Sequence, residues 1–365
     1  MSATAVKILP NYINGAWVPS SASETLDIQN PATGEVLAQC PLSGAGDVDT
    51  AVQAARAAFP EWKAKSTIER ARWLFGFRQR LEEEKDRLAT CVTTEMGKTF
   101  PDARAEVERM IEMVEAATAI PTTMQGRILE GVATKIDTET IRQPVGVCAA
   151  ITPFNFPAMV PMWFLPFAIA CGNTFILKPS EQVPMTQGIV FEIIDELGLP
   201  PGVVNMVNGS KDVVNGILDH PGIDAVSFVG SAATAQYIYE RAAANKKRVQ
   251  ALGGAKNSMV VMPDAVMDKT ADNIIGSAFG AAGQRCMAGS IVVAVGGAWE
   301  DLKTELVPRT EALTVGDGMD SGTAVGPVVS CQARDRIRGM VDKAVEQGAT
   351  LAVDGRQPGL SEEGA

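Results

Sequence analysis

A chain of 365 residues exceeds the ordinary size of one domain, so two domains or more, with ample cores, are expected. Hydrophobic residues make up 46%, an ordinary globular share, and the formal net charge of −11 argues against the basic face that a nucleic-acid partner would need. Cys40, Cys91, Cys148, Cys171, Cys286 and Cys331 are scattered without a CxxC pair, and His220 is the single histidine. This pattern predicts no zinc site and reduced thiols in a cytosol, hence a cytoplasmic protein.

In chain order, the N-terminus has no basic start followed by an apolar block, so no signal peptide is expected. The stretch to about residue 45 reads as short strands and turns, YINGAWV and then DIQNPATGEVLAQCPLS, with NPATG as a turn cluster. Asp47 is placed to cap a helix over DVDTAVQAARAAF. Further helices are predicted over TIERARWLFGFRQRLEEEKDRLATCVTTEM, broken near Glu84, and over FPDARAEVERMIEMVEAAT. Residues 126–142 alternate polar and apolar positions around a turn and predict an exposed hairpin arm.

Residues 143–177 carry no charge, a run long enough to span a bilayer. Pro144, Pro153, Pro157, Pro161 and Pro166, with Asn155 and Asn173, would break and polarise such a span, so a buried strand–loop–helix–strand run is the expectation, with one helix over AMVPMWFLPFAIAC. From there strand and helix alternate: VGVCAAITP, NTFILKP, TQGIVFEIIDELG, VVNMVNG, AVSFVG, TAQYIYERAAA. Such alternation predicts an α/β fold with a parallel sheet covered by helices on both faces. A new unit begins near Lys256 with NSMVVMPDA, and a second α/β series follows.

Four motifs carry chemistry, each with a plainer alternative. In SFVGSAATAQYIYE a strand ends at Gly230, Ser231 turns the chain and a helix begins, so the helix start is able to hold a pyrophosphate; the alternative is a simple strand-to-helix turn, since GxGxxG is absent and Ala235 stands where a second glycine would help. In ILKPSE, Lys178 and Glu181 leave the carboxyl end of a strand, where ribose hydroxyls could meet Glu181 and a 2′-phosphate would be repelled; the alternative is a solvated loop. In ITPFNFP, Asn155 either caps local backbone or is aimed at charge that exists only in a transition state. In FGAAGQRCMAGS, Cys286 is either an apolar filler or a nucleophile, with Arg285 beside it.

Taken together and in order, ITPFNFP, ACGNTFILKPSEQVPMT, GLPPGVVNMVNG, SFVGSAATA, LGGAKNSMVV and GQRCMAGS closely resemble the NAD-dependent aldehyde dehydrogenases, over nearly the whole chain. The resemblance implies an aldehyde dehydrogenase-like α/β fold: a Rossmann-type parallel-sheet NAD-binding domain from residues 1–125 and 143–255, an oligomerisation arm at 126–142, and a catalytic α/β domain from 256–365. It implies that Cys286 is the nucleophile, attacking an aldehyde to form a thiohemiacetal whose oxyanion is held by Asn155 and the Cys286 N–H. It places Thr152 and Phe154 on the nicotinamide side, Lys178, Glu181 and Gln182 at the adenosine half, Gly230 and Ser231 at the pyrophosphate and Gly253 near the nicotinamide, with NAD favoured over NADP.

Two departures from the family pattern are informative. Hydrolytic members carry a glutamate in ELGGK that activates water; here KRVQALGGAKNS puts Ala251 at that place if LGG is aligned with LGG, or Leu252 if Lys256 is kept in register. Neither is a base, so the thioester should wait for a thiol. One branch shares this substitution along with GAKN and FNFP, the CoA-acylating methylmalonate-semialdehyde dehydrogenases, which release acetyl-CoA or propionyl-CoA with loss of CO2. The resemblance therefore implies CoA as co-substrate, and Arg285 or Arg109 as the cation for the substrate carboxylate; the alternative for Arg109 is an ion pair with Glu106 or Glu108 on a wet helix face. Secondly, family chains run on past residue 365, so the catalytic domain is expected to be incomplete, with a hydrolytic enzyme or a non-catalytic NAD-binding remnant as rival readings. The complete family chain implies a homo-oligomer, a homotetramer, and a place in valine or inositol breakdown.

Overall fold

The structure, a computed structural model, describes residues 6–356. Strands β1 (Asn11–Ile13) and β2 (Ala16–Val18) are joined at Asn14-Gly15, both with positive φ (55° and 74°), the two-residue turn that Asn-Gly favours. Strands β3 (Thr25–Gln29) and β4 (Val36–Pro41) pair across the NPATG cluster, where the Gly34 N–H donates to the Asn30 carbonyl at 2.8 Å. Helix α1 (Ala45–Ala64) starts earlier than the sequence predicts: Gly44 is its N-cap, and Asp47, one turn in, reaches back to accept the Gly44 N–H at 3.3 Å. Helices α2 (Thr67–Glu83), capped by Ser66 and Glu69, and α3 (Lys85–Met96) part at Glu84 as expected, and α4 (Phe100–Thr118) and the short α5 (Ile120–Thr123) follow.

Strands β5 (Ile128–Ala133) and β6 (Ile136–Glu139) form an antiparallel hairpin exposed along its whole length. After β7 (Val147–Ile151) the expected single helix is two short ones, α6 (Met159–Met162) and α7 (Leu165–Ala170). Pro161 is tolerated in the first turn of α6, but Pro166 lacks the N–H that a continuous helix would direct to the Met162 carbonyl, which is the reason for the break. The alternation then proceeds through β8 (Thr174–Lys178), α8 (Met185–Glu196), β9 (Val204–Met206), α9 (Lys211–Asp219), β10 (Ala225–Gly230), α10 (Ala232–Ala244) and β11 (Arg248–Gly253). The last part holds β12 (Ser258–Val261), α11 (Met267–Phe279), β13 (Ile291–Ala294), α12 (Ala298–Glu311) and α13 (Cys331–Glu346).

Two compact units result. The first, 1–26, 39–88 and 106–253, is built on a seven-stranded sheet of order β11-β10-β7-β8-β9-β1-β2. Strands β7 to β11 run parallel to one another, whereas β1 runs antiparallel to β9 and β2. The chain lays β8 and β9 to one side of β7 and then returns to lay β10 and β11 on the other. That reversal between β7 and β10 is a topological switch point, and it opens a crevice beyond Ile151 and Gly230. The core under this sheet joins Val147, Ala149, Ile151, Val226 and Phe228 to Val48 and Val52 of α1 and Ile238 of α10. The second unit, 27–38, 89–105 and 254–365, centres on the parallel pair β12–β13, where Val261 packs with Ile274 of α11 and Ala298 and Leu302 of α12. Among the described residues no helix is long and apolar enough to cross a membrane, and no group of three His, Cys, Asp or Glu side chains could hold a metal ion.

Candidate active site

In the first unit the crevice at the switch point gathers most of the sequence-predicted cofactor residues. Thr152, buried, follows β7 and donates its N–H to the Lys178 carbonyl at 3.1 Å, and the half-buried Phe154 comes next in the turn. Gly230 and Gly253 end their strands side by side in register. Ser231 is the N-cap of α10, its hydroxyl accepting the Thr234 N–H at 3.3 Å, so a helix of 13 residues directs its first-turn N–H groups and positive dipole end outward from the sheet edge. A Cβ on Gly253 would stand 2.5 Å from Cβ of Ala235 and 3.0 Å from the Ser231 carbonyl oxygen. Only glycine allows strand and helix to come this close, and the Ala235 methyl group fills the room it leaves. This accounts for the missing second glycine of GxGxxG.

At the end of β8 the Lys178 ammonium is buried and pairs with Oε2 of Glu181 at 2.6 Å. The pair neutralises a cation that would otherwise be costly inside the sheet. Glu181, half-exposed, keeps Oε1 for a further acceptor role, and Gln182 follows it with its N–H toward the Ser180 hydroxyl at 3.4 Å. Asn155 lies half-buried in the turn between β7 and α6. Strand alternation separates the two positions left open for the absent base. Ala251 packs on the sheet core, while Leu252 points the other way and is 41% exposed.

The six cysteines of the chain sort by exposure: Cys286 and Cys331, both in the second unit, are exposed, and Cys40, in the first, is buried. Burial pushes the Cys148 thiol from its ordinary 9.0 up to about 12 and also raises that of Cys171, which makes both poor nucleophiles. Cys286 follows a tight 3-10 turn, Gly280–Gly283, in which Ala281 and Ala282 both take positive φ (51° and 53°). Such backbone is strained for alanine and persists only where its surroundings impose it. Asp102, in the first turn of α4, supplies part of that constraint by accepting the Ala281 N–H at 3.1 Å and Nη2 of Arg285 at 2.6 Å. Nη1 of Arg285 donates to the Gly276 carbonyl at 3.2 Å, and the guanidinium lies so close over Gly280 that a Cβ there would meet Cζ at 2.5 Å. Beyond the cysteine, Nδ2 of Asn257 donates to the carbonyls of Cys286 (2.8 Å) and Ala288 (3.1 Å). The sequence alone assigns no role to Asp102, which lies 179 positions from Ala281, or to Asn257 within GAKN.

Arg109 has a 70% exposed side chain, and its nearest ion pair is with Glu112 at 3.7 Å. The partners expected for it are engaged elsewhere: Glu108 pairs with Lys85 at 3.1 Å, and Glu106 is buried and holds backbone amides. A cavity of about 560 Å³ in the second unit is lined by apolar residues such as Phe279, Val315 and Ile337 together with charged ones such as Arg334, Arg338 and Asp354, and none of the sequence-predicted site residues lines it.

Comparison with known proteins sets these features in context. The model of the family described as "Aldehyde dehydrogenase family" matches residues 17–365. A malonate-semialdehyde dehydrogenase of Bacillus licheniformis is 50% identical over 362 residues, 99% of this chain and 75% of that protein. Among solved structures, a Sinorhizobium meliloti 1021 protein assigned as a methylmalonate-semialdehyde dehydrogenase, in complex with NAD, superposes with a TM-score of 0.95 at 45% identity, covering 99% of this chain and 74% of that one. The methylmalonate-semialdehyde dehydrogenase of Oceanimonas doudoroffii gives a TM-score of 0.95 at 43% identity, covering 98% and 73%.

Proposed function

The chain belongs to the aldehyde dehydrogenase family, and from that premise we propose that it is an NAD-dependent, CoA-acylating dehydrogenase of malonate or methylmalonate semialdehyde. The observation that carries the acylating assignment is the exposed, apolar Leu252 at the end of β11, where hydrolytic members place a base. The substrate class rests on the similarity to semialdehyde dehydrogenases and on the two arginines, Arg109 and Arg285.

The residues at the switch point fit a dinucleotide. The glycine pair at the strand ends, the capped start of α10 and the acidic Glu181 paired to Lys178 suit pyrophosphate and ribose in turn, and the carboxylate disfavours a 2′-phosphate. When bound there, NAD supplies a two-electron acceptor for the substrate carbon. The Cys286 thiolate attacks the aldehyde, and Asn155 donates its amide N–H to the oxyanion that forms, a contact absent from the ground state. Oxidation leaves an acyl thioester on Cys286, with CO2 lost from the carboxylated substrate. With no carboxylate at Leu252, water is not activated, and the thiol of CoA takes the acyl group. Arg109, with its guanidinium mostly in solvent, is the freer cation for the substrate carboxylate; Arg285, already tied to Asp102 and Gly276, offers its remaining N–H groups.

The first unit would then be the NAD-binding part and the second the catalytic part, in a cytoplasmic protein. The β5–β6 arm, with Ile128, Leu129, Val132 and Ile136 exposed, would pair with a second copy, which light scattering of the purified chain would test. NADH formation from methylmalonate semialdehyde, with and without CoA, tests the main proposal. Sustained turnover only with CoA is expected; equal turnover with free acid as product would overturn the acylating assignment.

A further inference from the structure

We infer that Glu106 is a positioning residue for the oxyanion donor: its buried carboxylate on α4 holds the turn that carries Asn155. The inference rests on the role proposed above for Asn155. Glu106 is 2% exposed, and its Oε1 accepts the N–H groups of Ala158 at 2.8 Å and Met159 at 3.1 Å. From the other side of the same turn the buried Gln187 of α8 donates Nε2 to the Pro157 carbonyl at 2.7 Å. At its start the turn is tied by the Thr152 N–H to the Lys178 carbonyl at 3.1 Å. Asn155 thus stands midway along a short span anchored at both ends to helices and strands.

The chemistry of the span explains why the anchors are needed. Pro153 and Pro157 bracket it; each fixes its own φ, and neither has an N–H to donate. The turn therefore has no backbone donor at either of these two positions with which to hold its geometry. A carboxylate is an expensive group to bury, and a hydroxyl or amide could cap one N–H at lower cost. What Glu106 adds is a single charged oxygen that takes two successive amides in short, directional bonds. An oxyanion donor lowers a barrier only if it is already aimed when the charge develops, and a misplacement of about 1 Å can cost about 100-fold in rate.

The test is a cycle of Glu106→Ala, Glu106→Gln and Asn155→Ala in the full chain, read two ways. Amide exchange followed by mass spectrometry should show Ala158 and Met159 exchanging at least about 10-fold faster in Glu106→Ala, with β7 and β8 unchanged. The first-turnover rate of NADH formation should fall about 10- to 100-fold in Glu106→Ala with KM for the semialdehyde within about 3-fold, and Glu106→Gln should recover most of it. Glu106→Ala combined with Asn155→Ala should be no slower than Asn155→Ala alone, because both act through one amide. Losses that multiply in the double variant, or exchange at Ala158 and Met159 that does not change, would overturn the inference. If Glu106→Ala does not fold, Glu106→Leu, which removes the acceptor oxygens but keeps the bulk of the side chain, carries the same cycle. A parent chain with no first turnover would refute the functional reading instead, and the exchange measurement alone would then decide whether Glu106 holds the turn.

Discussion

The turn carrying Asn155 and the loop carrying Cys286 achieve order by opposite means. The first is bracketed by prolines, has no charged residue of its own, and is held by the buried Glu106 and Gln187. The second is rich in glycine and alanine, places its cysteine in the open, and bends through two alanines of positive φ. Its principal anchor, the Asp102–Arg285 pair, has both side chains partly exposed. The difference follows from the work proposed for each. A hydrogen-bond donor for a transient charge must be aimed beforehand and shielded from water, whereas a nucleophile must be reachable by substrate and then by a second thiol.

Breaking each loop at its centre should give the two largest effects. Cys286→Ala should abolish the acyl-enzyme, so that the mass increment seen after exposing the parent chain to semialdehyde and NAD is absent. The same substitution at Cys148 should leave the increment in place, and labelling at a residue other than 286 would reassign the nucleophile. Asn155→Ala should lower the first-turnover rate about 100- to 1,000-fold, or about 2.7–4 kcal/mol, chiefly through kcat. A change in KM alone would make Asn155 a binding group.

Two smaller effects sharpen the contrast. Leu252→Glu should raise CoA-independent release of free acid by about 10-fold at most, since a base must be positioned as well as present. Product analysis without CoA measures it, and a variant still wholly dependent on CoA would show that some other feature excludes water. Cys148 provides the pH prediction. Because burial raises its folded value from 9.0 to about 12, the stabilisation tied to its neutral form is complete below the ordinary thiol range and is lost as pH rises toward 12. Unfolding free energy should therefore fall between those limits with a slope of at most about 1.4 kcal/mol per pH unit from this group. Denaturant titration should find a shallower fall in Cys148→Ala, and an unchanged slope would mean that the thiol ionises without penalty.

Much of this could be read before any fold was known. Asn14-Gly15, the break at Glu84, the exposed hairpin of residues 126–142 and the β–α alternation after Gln143 are local matters of turn chemistry, periodicity and capping, and each reads directly from neighbouring residues. The motif cysteine and the Gly230-Ser231 strand-to-helix turn belong to the same class. The misreadings came where a signal spanned a short distance ambiguously. Asp47 caps from inside its helix, and the proline at 166 splits a helix that apolar content alone would have joined. The alternatives at residues 251 and 252 could not be separated by counting, because one step along a strand reverses which face a side chain occupies.

By itself, then, the sequence determined the chemistry available to this protein: a thiol in a glycine-rich loop, an amide in a proline-bracketed turn, a strand-to-helix step fit for a phosphate, and no base where a hydrolase keeps one. Only the tertiary structure decided how those groups are held. Gly253 must lack a Cβ because α10 lies against it, Asp102 reaches across 179 positions in the chain to accept the Ala281 N–H, and Glu106 reaches across 52 to accept that of Ala158. Contacts of that separation leave no periodic or local trace, because what selects each residue is the neighbour that folding brings to it.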